Sequence, residues 1–189
     1  MNLLPIFLKL EGRRCLVVGA GPVGMQKIGG LLEAGAEIVV VDPAPSAQFC
    51  ELYGTRVKLR EREYAATDLN DVYLVIAATS DEAVNRRIYD ESQRRGILIN
   101  VVDVPPLCDF YYGAVVRRGA LVVAVSSQGE SPHLAQRVRD EIHALLPEEL
   151  EEVVKHIGEE RRRILREHPP GPERLQLLRD LVYPPGVSA

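Results

Sequence analysis

The chain has 189 residues, 46% of them hydrophobic and 26% charged, which excludes wholesale disorder and fits one domain of about 150 residues with an appendage. With 23 Lys and Arg against 27 Asp and Glu the formal charge is −4, a balance unsuited to general nucleic-acid binding, which rests on neutralising phosphates. Trp is absent and aromatic residues make up 5%, which argues against a base-stacking surface. The three cysteines, Cys15, Cys50 and Cys108, form no CxxC pair and no Cys/His cluster, so neither a structural zinc site nor a disulfide framework is expected. Residues 1–10 carry Pro5 and a single basic residue, Lys9, unlike a signal peptide, and no apolar run approaches the ~20 residues of a membrane span. The expectation is a cytoplasmic protein without a membrane segment.

In chain order, short β-branched runs at 14–18 (RCLVV), 37–41 (EIVVV), 72–77 (VYLVIA), 97–102 (ILINVV) and 120–125 (ALVVAV) are apolar on both faces, as strands inside a parallel sheet are. Between the first two, residues 23–33 place Val23, Ile28, Leu31 and Leu32 at helical spacing. Residues 81–95 form a polar amphipathic stretch closed by Gly96, where a C-terminal glycine belongs. Strands alternating with helices at this pace predict a doubly wound α/β fold of Rossmann type over residues 1–112. After residue 112 the pattern changes. Ser131 and Pro132 open a helix with an N-cap and a first-turn proline, and Leu134, Val138, Ile142 and Leu145 form its stripe up to Pro147. A second helix is expected over 148–167, with Leu150, Val153, Val154, Ile157, Ile164 and Leu165 inward, and a short last one over 173–182.

Gly19-Ala20-Gly21-Pro22-Val23-Gly24 follows the first strand and opens the first helix. Gly19 permits a tight turn, Gly21 lets the backbone approach a pyrophosphate, and Gly24 lets helix and strand pack closely. The helix N-terminus then offers free N–H groups to phosphates. Asp42 ends the second strand, where a carboxylate accepts hydrogen bonds from a ribose 2′-hydroxyl and repels a 2′-phosphate, so NAD is expected over NADP. Small residues at 77–80 (AATS) leave room for a cofactor at the carboxyl edge. The alternative is a tight strand–helix turn with no ligand.

A second cluster runs over 100–110 (NVVDVPPLCDF). Asp103 follows a buried strand and so belongs at the carboxyl edge, where it is either a proton acceptor or a turn-forming residue before Pro105 and Pro106. Cys108 is either a soft metal ligand or packed core. The loop 126–131 (SSQGES) offers backbone N–H groups to an anion, or is simply a strand–helix loop with its cap.

The opening LPIFL, the run VVGAGPVGMQKIGGLLEAGA, Ala77-Ala-Thr-Ser-Asp81 with Val84-Asn85, Asn100-Val-Val-Asp103 with Leu107-Cys-Asp-Phe110, and Val125-Ser-Ser127 with Ser131-Pro132 together resemble the precorrin-2 dehydrogenase family, the amino-terminal module of siroheme synthases. The resemblance covers roughly residues 3–150 and implies NAD-dependent oxidation of precorrin-2 to sirohydrochlorin. In some members ferrous iron, a substrate, is then inserted by a ferrochelatase (lyase) activity. It assigns Asp103 as general base and Ser127 to the tetrapyrrole side, where relatives can be phosphorylated. It also implies a homodimer formed through 113–147, with a small helical region at 148–189. Departures from the family pattern are Pro22, Gly29-Gly30, Gly113 and Gln128. The chain stops short of a methyltransferase domain, so another protein is expected to methylate the precursor.

On this reading Gly19, Gly21, Pro22, Val23 and Gly24 surround the pyrophosphate of NAD. Asp42, Pro43 and Ala44 border the adenosine ribose, and Thr79 approaches the nicotinamide. A polycarboxylate substrate demands local positive charge, for which Arg117, Arg118 and Lys27 are candidates. No resident metal site is expected, and His133 is either exposed or a helper in handling iron. The rivals are a non-enzymatic NAD-sensing module, which would need an attached effector region, and an NAD-dependent oxidoreductase acting on another small substrate.

Overall fold

The computed structural model describes residues 2–183. It divides into two compact units, Pro5–Tyr111 and, among the described residues, 2–4 with 112–183. The first unit is a parallel sheet of β1 (Arg14–Val18), β2 (Glu37–Val41), β3 (Lys58–Arg60), β4 (Leu74–Ala77) and β5 (Leu98–Val101), in the order β3-β2-β1-β4-β5. β1 pairs with β2 from Arg14 opposite Glu37 to Val18 opposite Val41, and with β4 from Cys15 opposite Leu74 to Val18 opposite Ala77. The reversal of strand order beside β1 makes the crevice at its carboxyl end the place where such sheets take ligands.

The central strands are buried on both faces, which is why their sequences are continuous β-branched runs. On one face Val17, Val40 and Ile76 pack with Ile28 and Leu31 of α1 (Pro22–Glu33) and Phe49 of α2 (Ala47–Tyr53). On the other, Leu16, Val39, Val75 and Ile99 pack with Ile88 of α3 (Glu82–Arg95). Asp81 caps α3, accepting from the N–H groups of Ala83 and Val84 at 2.8 and 3.1 Å, and Gly96 ends it at φ +66°. Beyond β5 the chain folds back along its free edge. Asn100 and Cys108 form an antiparallel bridge, the Asp109 N–H donates to the Ile99 carbonyl (2.8 Å), and the Asp109 carboxylate accepts from the Ile99 N–H (3.0 Å).

The second unit holds β6 (Ala114–Arg118) and β7 (Leu121–Val125), then α4 (Pro132–Leu145), α5 (Leu150–Glu167) and α6 (Pro172–Asp180). Here one expectation is corrected. The run at 120–125 is not a strand of the parallel sheet: β7 pairs antiparallel with β6 in a separate two-stranded ribbon, Arg118 opposite Leu121. Gly119, at φ +55°, lets the chain reverse within two residues, and β7 is only half-buried, so its apolar composition reflects a covered ribbon rather than a central strand. α4 packs on this ribbon and α5 on α6. Ser131 caps α4, accepting from the Leu134 N–H at 3.2 Å. The expected stripes of α4 and α5 are incompletely covered: Leu134 is 47% exposed, Leu145 79% and Val153 48%, whereas Ile164 is buried. Among the described residues no helix is long and apolar enough to cross a membrane.

Candidate functional site

A cleft of 690 Å³ opens at the carboxyl edge of the parallel sheet, within the first unit. It is lined by Gly19, Gly21, Pro22 and Val23 after β1, Asp42 and Pro43 after β2, Thr79 after β4 and Asp103 after β5. The sheet thus brings these residues into one cavity from four separate strand ends. Gly24 and Ala44 do not line it, and neither does Lys27.

The glycine loop fits a pyrophosphate on the geometry of its backbone. Gly19 sits at φ +100°, and a methyl group there would collide with the Ala78 carbonyl oxygen. A methyl group on Gly24 would collide with the Gly19 carbonyl oxygen, so this glycine serves helix–strand packing rather than ligand contact. Gly21 faces open space: a methyl group there would meet nothing within 4 Å, and that space belongs to the cleft. The loop therefore presents bare backbone at the N-terminus of α1, whose first-turn N–H groups are donors for an anion.

Asp42 does more than wait for a ribose. One carboxylate oxygen accepts from the Ala20 N–H at 2.6 Å and the other from the Ala44 N–H at 2.7 Å. The carboxylate bolts the glycine loop to the end of β2 and retains lone pairs for a hydroxyl ligand. Thr79 is fixed by Asn85, a residue sequence reasoning quoted without a role. Its hydroxyl donates to Asn85 Oδ1 at 2.8 Å, and Asn85 Nδ2 donates to the Thr79 carbonyl at 2.9 Å. Asn85 is buried on the first turns of α3, so the β4–α3 loop is held by a polar residue with satisfied partners.

Asp103 is exposed to the cleft in the left-handed region at φ +60°, a conformation that Asp tolerates better than most residues. The loop behind it is pinned. Asn100 Nδ2 donates to the Phe110 carbonyl (2.8 Å), the Cys108 thiol donates to the Val101 carbonyl (3.1 Å), and the Tyr111 hydroxyl donates to the Pro105 carbonyl (2.9 Å). Burial pushes the Cys108 thiol up in pKa, with Asp109 adding to the effect and the Val101 hydrogen bond opposing it. Of the two readings of Cys108, packed structure is the one its partners describe. Lys27, on the second turn of α1, is lowered by burial while the nearby Asp103 carboxylate works in the opposite direction.

Sequence reasoning missed Glu63, Tyr64 and Arg87 as cleft-lining residues. They come from the loop after β3 and from α3, and only the fold brings them together. The Arg87 guanidinium lies 5.0 Å above the Tyr64 ring and donates to the Tyr64 carbonyl at 2.7 Å. The Tyr64 hydroxyl is raised in pKa by burial and by its hydrogen bond to Glu91.

The remaining expected residues, Ser127, Arg117 and Arg118, belong to the second unit. Ser127 Oγ accepts from the Ser131 N–H at 3.0 Å, holding the loop that leads into α4. Arg118 donates through Nε to the Leu146 carbonyl at 3.1 Å and through a terminal nitrogen to the His143 carbonyl at 3.5 Å, at the C-terminus of α4. Arg117 is exposed on β6. Among the described residues no group of three or more His, Cys, Asp or Glu side chains converges as a metal-binding cluster would.

Residues 6–114 match a family model described as putative NAD(P)-binding, and residues 118–145 match one described as the central segment of a sirohaem biosynthesis protein. The chain is 44% identical over 148 residues to a siroheme synthase of Methylococcus capsulatus, an alignment covering 78% of this chain and 31% of that one. It is 46% identical over 147 residues to a siroheme synthase of Ectopseudomonas mendocina, covering 78% and 32%. The chain thus spans about a third of the length of the curated relatives it matches. Among solved structures it is similar to SirC, a precorrin-2 dehydrogenase, with a TM-score of 0.80 and 28% identity over 95% of this chain and 89% of that one. The glycine cradle, the Asp42 bolt and the matched central segment agree with these likenesses, and the chain belongs to the putative NAD(P)-binding family.

Proposed function

We propose that the chain binds NAD across the carboxyl edge of its parallel sheet and oxidises precorrin-2 to sirohydrochlorin, with Asp103 as general base. The observation that carries this reading is the shared cleft: Asp103 lines the same cavity as the glycine loop, Asp42 and Thr79. When bound, NAD supplies the hydride acceptor. The substrate loses a hydride and a proton, and the Asp103 carboxylate takes the proton. Asp42 favours the unphosphorylated ribose. Gly19, Gly21, Pro22 and Val23 surround the pyrophosphate, with Gly24 behind them, Pro43 and Ala44 flank the ribose, and Thr79 meets the nicotinamide end.

The precorrin-2 carboxylates call for cations, and Lys27, Arg117 and Arg118 with Ser127 are the residues we assign to that side. The 113–147 segment is assigned to a homodimer interface, which suits the exposed Leu134 and Leu145 on α4, and 148–183 to a helical region; residues 184–189 lie outside the described residues. Ferrous iron insertion into sirohydrochlorin is the second activity we assign, with iron as substrate and Asp103 accepting pyrrole protons.

The test adds precorrin-2 and NAD to the pure protein and follows absorbance at NADH and tetrapyrrole wavelengths. D103A should abolish NADH production while leaving NAD binding nearly intact; unchanged turnover in that variant would sink the assignment. Incubation with sirohydrochlorin and Fe²⁺ separates a dehydrogenase from a bifunctional enzyme.

A further inference from the structure

β3 ends beside the ribose end of the cleft. Val41 lies opposite Arg60 in the β2–β3 pairing, and the Asp42 N–H donates to the Arg60 carbonyl at 3.3 Å. Arg60 and Arg62 therefore leave the backbone next to the carboxylate that would face a ribose 2′-position. Two guanidinium groups there are the chemistry that recognises a 2′-phosphate. Neither lines the cleft, because both are committed to Asp68.

Asp68 has a completely buried side chain. Arg62 holds it with two parallel hydrogen bonds of 2.6 and 2.8 Å, Arg60 donates to the same carboxylate, and the Ala65 N–H fills a further acceptor site at 2.9 Å. The bidentate geometry fixes the guanidinium plane of Arg62 as well as its charge. The two arginine side chains are themselves 41% and 45% exposed, and Arg62 also donates to the Glu63 carbonyl at 2.8 Å, so what restrains them is hydrogen bonding, chiefly to the carboxylate, and not the surrounding packing.

We propose that Asp68 is a positioning residue for cofactor choice: it holds Arg60 and Arg62 away from the 2′-position, so that the cleft discriminates against a phosphorylated ribose through Asp68 as well as Asp42. A latent anion site lies beside the ribose end, closed by an internal carboxylate. The proposal rests on the reading of the cleft as a dinucleotide site.

The test is fluorescence titration of NADH and NADPH into the wild-type chain and the D42N, D68N and D42N/D68N variants. Asparagine at 42 keeps an acceptor for the Ala20 N–H while removing the repulsive charge. Adding D68N to D42N should tighten NADPH by about tenfold over D42N alone, with NADH changed by less than about threefold. A double variant that binds NADH as D42N does but NADPH no better than D42N overturns this proposal alone. A wild-type chain that binds neither dinucleotide overturns it together with the reading of the cleft. A second comparison leaves Asp68 in place and does not depend on how well D68N folds. In the D42N background R62Q should leave NADPH affinity within about twofold, because Arg62 is already occupied; a tenfold fall would show that it reaches the phosphate despite Asp68.

Discussion

At the scale of single residues, carboxylates set the behaviour of the first unit. Asp42 holds the Ala20 and Ala44 N–H groups, so D42A removes a structural bolt along with a ribose contact. The orphaned donors should cost about 1–3 kcal/mol, so NAD affinity should fall, while loss of the repulsive charge offsets part of that cost for NADP and narrows the preference between the two. D42N, which keeps one acceptor, should lose less; calorimetric titration of the two variants checks this. Asp103 at φ +60° carries a backbone cost that alanine tolerates worse than asparagine. D103A should be about 1 kcal/mol less stable than D103N by urea denaturation, although neither retains the carboxylate. Asp68 links folding to pH. Burial alone would raise its pKa, but the hydrogen bonds from Arg62, Ala65 and Arg60 outweigh it and hold the carboxyl below its ordinary value. A depressed folded-state value stabilises the chain above the unfolded value of about 4, and this is lost as pH falls through the folded one. D68N should flatten that acid limb, seen in denaturation midpoints between about pH 5 and 2. Among the thiols, Cys15 is buried with its pKa raised to about 11 and Cys108 donates to backbone carbonyls, so exposed Cys50 alone should react promptly with a disulfide reagent before unfolding.

Whole elements show where sequence was legible and where it was not. β1, β2, β4 and β5 are evident because burial on both faces demands β-branched apolar runs, α1 because its apolar spacing follows the glycine loop, and α3 because its amphipathic stretch ends at Gly96. The glycine loop, Asp42, Thr79 and Asp103 follow from strand order, since every strand end of a parallel sheet reaches the same edge. β3 has three residues and half-exposed sides, too short for any periodicity, and α2 has seven. β7 carries the composition of a core strand yet sits in an antiparallel ribbon, a difference set by the Gly119 turn and not by its own residues. Glu63, Tyr64 and Arg87 were invisible as a group because a loop and a helix distant in sequence supply them. α1 offers an element-level test. A methyl group on Gly30 would meet nothing within 4 Å, whereas one on Gly24 would strike the Gly19 carbonyl oxygen. G30A should raise stability by about 1 kcal/mol and G24A should lower it, measured by thermal melting with retained or lost dinucleotide binding.

For the molecule as a whole, the division of labour between its units is the testable point. Every residue lining the cleft lies within Pro5–Tyr111, while Ser127, Arg117 and Arg118 lie in the other unit. S127A and R117A should therefore leave NAD affinity unchanged while raising the KM for precorrin-2, an outcome that titration and steady-state kinetics separate. The clasp of residues 108–110 along β5 has a further effect, on solubility. A parallel sheet of five strands has two open edges, each a row of unpaired N–H and C=O groups that can recruit another chain. On one side β3 is three residues long and carries Lys58 and Arg60, charges that discourage pairing. On the other, the return of Cys108 and Asp109 along Asn100 and Ile99 occupies the backbone of β5 before a second chain can reach it. The loop that carries Asp103 thereby also covers the edge of the sheet, so that variants which loosen it should disturb the placement of Asp103 and lower colloidal stability together.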